Sequence, residues 1–499
     1  MGARLPLTAR SLTMFAMCLL AGAGAGAARP ATVEGQPKTG AAAGDATQLF
    51  ARGVELERQG NWSGAATAYE AALEHAPDMA RACDRLGFAL GQLGRTADAI
   101  ARFRQAAAMS PQLFDAHYHL GATLWWTRDL DGALAALQRA VAIDPRHAEA
   151  QYYLGVVLRE RGDTLGAVEH LRTAIRLNAT IARAHMQLGV ALQTLGDLDG
   201  AEVSFLKARA LDPDSDDIAN SLGLVQMHLG QGEAAIAAFN AILARHPDYE
   251  AARHNLGTAY LHKGDLTRAV DTFREVTRRN PKNAEAFYNL GAALKQQDDF
   301  EAAEAALRRA TELDPALPEA HFTLAVVLWQ TGRADAAGGE LRAAIAQKDD
   351  YAEAHYMLGT ILRQQGAAAD AIAEFRRTIA LDPRSAEAHL SLGQMLERSG
   401  DAAGASAALA EAARLNTQKA NEQAAAFALS RGAEKLRQGD VRAAIVELND
   451  AVRLAPQLPR AHYQLALALR RQGAQADARA QFAEAQRLAP WIEIPGVAR

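Results

Sequence analysis

An alanine returns every 34 residues along most of this chain: Ala65, Ala99, Ala133, Ala167, Ala201, Ala235, Ala269, Ala303, Ala337, Ala371 and Ala405. After a shift of five residues the series resumes at Ala444 and Ala478. Twelve residues before each alanine stands a small residue: Gly53, Gly87, Gly121, Gly155, Gly189, Gly223, Gly257, Gly291, Gly359, Gly393 and Gly432, with Ala325 and Ala466 as substitutes. A unit this short cannot bury an apolar face by itself, so stacked neighbours must build one continuous core. The period leaves a solenoid and argues against a conventional globular core.

The other columns assign local structure. Glycine inside a helix costs roughly 1 kcal/mol against alanine, so its recurrence points to two helices in close approach, with the alanine column as the facing small surface. A second glycine column, beginning Gly60, Gly94 and Gly162, follows the first helix and suits a left-handed C-terminus. Proline after the second helix, as in Asp144-Pro145 and Asp382-Pro383, stops that helix. Each unit reads as helix, turn, helix, turn. Alternating Val/Ile/Thr patterns that would signal strands are absent, and aromatic content is 6%.

These columns resemble the tetratricopeptide repeat family; His355-Tyr356-Met357-Leu358-Gly359, followed by Ala371, Phe375 and Pro383, carries the likeness well. The resemblance covers residues 46–492 and implies an all-α fold, an α-solenoid of about thirteen helix-turn-helix repeats forming a right-handed superhelix. Eleven repeats run in register over 46–419, residues 420–424 are an insertion and hinge, two repeats occupy 425–492, and 493–499 form a tail. Repeat nine has Ala325 for glycine, Gly338-Gly339 inside its second helix and Asp349 for proline. Bending is expected there and around 417–424.

The N-terminus follows a different logic. Arg4 and Arg10 precede an apolar centre from Leu12 to Leu20 and the A-x-A site Ala25-Gly26-Ala27, which makes 1–28 a secretory signal peptide. Residues 29–45 read as a disordered linker. Cleavage implies an exported protein, periplasmic or extracellular, with no membrane insertion of the mature chain. It leaves Cys83 without an intrachain partner, and 51 basic against 58 acidic residues. A mildly acidic chain without basic runs is a poor ligand for nucleic acid.

Enzyme motifs are missing: there is no G-x-x-x-x-G-K, H-E-x-x-H or G-x-S-x-G, and no cysteine pair at metal spacing. No catalytic, cofactor or metal site is expected. His117, His185, His321, His355, His389 and His462 share one repeat position. Metal–nitrogen bonds are about 2 Å long while helix layers sit roughly 10 Å apart, so this ladder reads as packing. Arg161-Gly162-Asp163 spells an integrin-type tripeptide but coincides with the repeat turn. Asn61-Trp62-Ser63 and Asn178-Ala179-Thr180 match glycosylation acceptors.

The resemblance implies that the fifth and ninth residues of each first helix line an inner groove. Together with the twelfth and thirteenth positions this gives Tyr118, Trp125, Trp126, Tyr152, Tyr288, Phe322, Trp329, Tyr356 and Arg363 as the candidate groove. The fifth-position rings serve equally well as groove or as helix padding; the tryptophans are expected to be exposed. Rings with nearby arginines suit an extended peptide. The family's chaperone-tail clamp of lysine and asparagine is absent, and only Asn255 and Asn289 recur where the long transferase superhelix of that family has an asparagine ladder. The chain reads as a non-catalytic exported scaffold for a protein or peptide in an envelope or secretion assembly. An alternative is an accessory subunit recruiting substrate in polysaccharide export or protein glycosylation. The apolar tail Trp491-Ile492-Glu493-Ile494 must fold back, bind a partner or pair two copies into a homodimer.

Overall fold

The computed structural model describes residues 42–492 and Ile494. The expected signal peptide, most of the linker and nearly all of the tail lie outside the described residues. Residues 42–45 of the expected linker are already helical, opening Ala42–Arg58. Among the described residues there are 25 helices and no strand. The chain divides into two compact units, Met1–Ala238 and Phe239–Arg499, and each is an α-solenoid.

A repeat such as Ala148–Glu160 with Thr164–Leu177 shows how the sequence makes the unit. The first helix ends at Gly162, whose φ of 89° suits glycine. Asp163 then accepts a hydrogen bond from the Gly166 N–H and caps the second helix. That arrangement accounts for the Arg-Gly-Asp tripeptide. Asn61, Asp129, Asp197, Asp265, Asp299, Asp401 and Asp440 cap in the same way. The turn glycine is replaced in two repeats by Arg128 (φ 68°) and Asp298 (φ 61°), which hold a left-handed conformation against side-chain sterics. Between repeats, Asp144, Asp314 and Asp382 accept from the N–H two residues on, across the proline, closing the turn.

The glycine of the first helix marks a close approach, though its partner differs from the expected alanine. A Cβ at Gly155 would lie 2.7 Å from Leu171 Cγ, and one at Gly257 2.7 Å from the Phe273 ring. The bulky residue sixteen positions on fills the glycine's space; the alanine contributes its carbonyl, with Ala167 O 3.2 Å from the same point. Tyr69, Phe103, Phe205, Phe239, Phe273 and Phe375 all hold this position fully buried. Each buried ring removes a large apolar area from water.

The expected insertion at 420–424 is instead part of a helix. Ala402–Arg437 is continuous over 36 residues, its first half the second helix of repeat eleven and its second half the first helix of repeat twelve. Thr417 replaces proline, and the stretch from Ala405 to Arg431 contains neither glycine nor proline. With alanine, the strongest helix former, recurring through it, nothing stops the helix. Its first half packs on Ala386–Ser399 and its second on Val441–Leu454. Residues 419–424 between them are exposed, with Lys419 and Glu422 reaching back to Glu387 and Arg384. At the far end, Ile492 O accepts from Gln486 Nε2, and Trp491 and Ile492 are half-buried, so these two residues fold back on the last helix.

Candidate binding face

The first helices carry the residues singled out in the sequence. Their fourth position, the histidine column, has one shared task. His117, His185, His321, His355, His389 and His462 each place Nε2 2.9–3.2 Å from the backbone carbonyl six residues earlier. Gln151 and Arg253 make the same bond to Pro145 and Pro247. The column is a clamp that satisfies a carbonyl in the turn entering each repeat. In three cases Nδ1 also meets the repeat's second helix, at Glu340, Glu374 or Gln481, each 2.6 Å away. Among the described residues no group of three or more ligating side chains could hold a metal ion.

Fifth and twelfth positions form rungs to the next repeat, 35 residues on. Asp84 Oδ1 meets His119 Nδ1 at 2.9 Å, Trp125 Nε1 donates to Glu160 at 3.2 Å, and Trp329 Nε1 to Gln364 at 3.4 Å. Tyr356 Oη lies 3.5 Å from Ser391 Oγ, and Tyr288 bonds Thr323. The rungs explain why these side chains are bulky and polar-tipped. They bridge adjacent first helices and are partly covered by doing so.

The N-terminal unit is filled by these bridges. Tyr118 and Tyr152, expected in a groove, are 3% and 6% exposed. Phe114 stacks on Tyr118, Trp125 packs on Tyr153, and the Arg183 guanidinium sits 4.8 Å from the Tyr152 centroid while pairing with Glu149. Trp125 and Trp126 are half-buried rather than exposed. His119 lies among Phe88, Phe103 and Tyr118. Burial pushes its pKa down, but the charge and hydrogen bond of Asp84 outweigh that and raise it. Cys83 is fully buried with its thiol directed at Arg102 O, and burial raises its pKa, which leaves it unreactive.

The C-terminal unit keeps more of the same face open. Trp329 is 37% and Leu390 41% exposed, and Tyr288, Phe322, Tyr356 and Arg363 are half-buried. Phe322 is steadied by Tyr351, 5.1 Å between centroids. Around this row, the first turns of four successive helices carry Glu285, Glu319, Glu353 and Glu387, while the last turns carry Lys295, Arg363 and Arg398. The glutamates escaped the sequence reading, although their spacing of 34 residues is visible there. An apolar row between acidic and basic rows can bind and orient a chain; the described residues show no helix long and apolar enough to cross a membrane.

Tetratricopeptide-repeat family models match residues 46–79, 90–155, 159–216 and 429–490. The chain carries tetratricopeptide repeats. A further model, described as the Cilia and flagella-associated protein 70 C-terminal domain, matches 217–430. No match was found among curated proteins. Similar solved structures include the tetratricopeptide-repeat protein TTC0263 of Thermus thermophilus, at 26% identity over 36% of this chain and 98% of that one, with a TM-score of 0.33. YrrB, described as a tetratricopeptide-repeat protein with an unusual peptide-binding site, is 23% identical over 38% of this chain and 97% of its own, TM-score 0.35. The Cut9–Hcn1 hetero-tetramer of the APC/C is 16% identical over 89% of this chain and 94% of that chain, TM-score 0.36.

Proposed function

We propose that the protein is an exported, non-catalytic scaffold that holds an extended polypeptide against the first helices of repeats eight to eleven. Tetratricopeptide arrays are protein-interaction scaffolds, and the observation that carries the location is the difference in exposure along the array. In repeats three and four the fifth-position rings are interior, whereas Leu390 stands open at that position and Trp329 stands open in the column of Lys295 and Arg363. Helix layers are about 10 Å apart and an extended chain rises about 3.3 Å per residue. The face therefore suits a ligand with a large apolar side chain at roughly every third residue, its cations toward the glutamate row and its carboxylates toward Lys295, Arg363 and Arg398. Export rests on the character of residues 1–28.

A positional library of extended peptides, screened on the full chain and on a Trp329→Ala/Leu390→Ala variant, tests this. The expected result is enrichment of apolar residues at every third position, with affinity falling about tenfold or more in the variant. A Trp125→Ala chain should bind as the wild type does. Equal binding by wild type and the Trp329→Ala/Leu390→Ala variant overturns the location.

A further inference from the structure

One junction of the solenoid is missing, and both of its halves are bare. Elsewhere a second helix packs on the first helix of the next repeat, as Thr164–Leu177 does on Ala182–Thr194 and Ala368–Leu381 on Ala386–Ser399. The third residue of the first helix is buried by that contact, as Ala150 and Ala184 show at 0% exposure. Between repeats eleven and twelve the two helices are collinear parts of Ala402–Arg437 and cannot pack on each other. Phe427, at the third position, is accordingly 69% exposed. On the opposite half Leu409 is half-exposed, while its counterparts Phe375 and Leu448 are fully buried.

We propose that a second copy of this chain covers this face, the two long helices lying antiparallel about Thr417. One helix face is taken by Ala386–Ser399 and another by Val441–Leu454. The remaining face runs through Ala403, Ala410, Thr417 and Ala424 at seven-residue spacing, every one exposed. Seven-residue spacing is the seam of a supercoiled helix pair, and alanine lets the backbones come close. In the antiparallel register Ala410 of one protomer meets Ala424 of its partner. The exposed ring of Phe427 then lies level with the small, exposed Ser406 and Ala407 of the partner, and neutral Thr417 faces its own copy on the axis.

Charge selects this orientation and this occupant. The C-terminal part of the helix carries exposed Lys435 and Arg437, the latter paired with Glu434 one turn earlier, while exposed Asp401 and Glu397 lie at its N-terminal end beside Arg398. Antiparallel pairing sets each cationic end beside an acidic one, twice over by two-fold symmetry; parallel pairing stacks like on like. A copy also supplies both halves of the missing junction at once. The inference does not depend on where a peptide binds.

The test is the light-scattering mass of the full chain over a concentration series, beside Ala410→Glu, with circular dichroism confirming that the variant stays helical. The expected result is a doubled mass for the wild type and a single-chain mass for Ala410→Glu. In a Cys18→Ser background, Thr417→Cys should cross-link to itself under mild oxidation, and Ser430→Cys, exposed off the seam, should not. A single-chain mass at every concentration, a dimer indifferent to Ala410→Glu, or equal cross-linking of the two cysteines overturns the proposal.

Discussion

The Asp84–His119 pair is the residue-scale feature with the clearest consequence. Asp84 is 2% exposed and His119 8%, enclosed by Phe88, Phe103 and Tyr118. Because the folded His119 pKa is raised above its ordinary value of about 6.5, the pair's stabilisation is complete below that value. It is lost as pH rises through the folded pKa. Urea unfolding of wild type against His119→Gln should show a stability gap that is widest at about pH 6 and narrows as pH rises. A constant gap would mean that the bond is insensitive to the proton. The nearby Glu57–Tyr69 and Glu57–Arg85 contacts are present in both chains and cancel in the difference.

Among the elements, the second helix of repeat nine invites repair. Ala334–Gln347 stays helical through Gly338-Gly339, so the two glycines weaken it without breaking it. A Cβ at Gly339 would meet nothing within 4 Å. Gly339→Ala should raise stability by about 1 kcal/mol and slow amide exchange across 334–347; unchanged exchange would show that this helix does not open on its own. Helices and turns of this kind were legible because glycine, aspartate and proline act locally and recur at one spacing. The long helix was not. A five-residue offset beside a missing proline reads as an inserted break, yet the absence of any helix breaker from Ala405 to Arg431 decides the opposite. The face of the first helices was legible as columns, but not which members were open: Tyr118 and Tyr356 occupy the same position, and the packing of Phe114 and His147 on Tyr118 separates their exposure.

Across the whole molecule, stability in a repeat array is close to a sum of local terms and nearest-neighbour contacts. A lesion should therefore stay near its origin. Leu86 is fully buried in repeat two, and Leu86→Ala should cost about 2–5 kcal/mol there. Hydrogen exchange is expected to rise in repeats one to three while helices Val441–Leu454 and Gln475–Leu488 keep their wild-type protection. A uniform loss would show one cooperative unit instead.

The continuous helix Ala402–Arg437 also works as a gear. Repeats twelve and thirteen are joined to repeat eleven through it, so its length sets their phase. One residue added within 419–424 turns the downstream repeats by about 100° and advances them about 1.5 Å. Seven added residues, about two turns, would nearly restore the original heading. Length in this segment is thus constrained by angle more than by reach, and a deletion harmless in any loop would here point the last two repeats in a new direction.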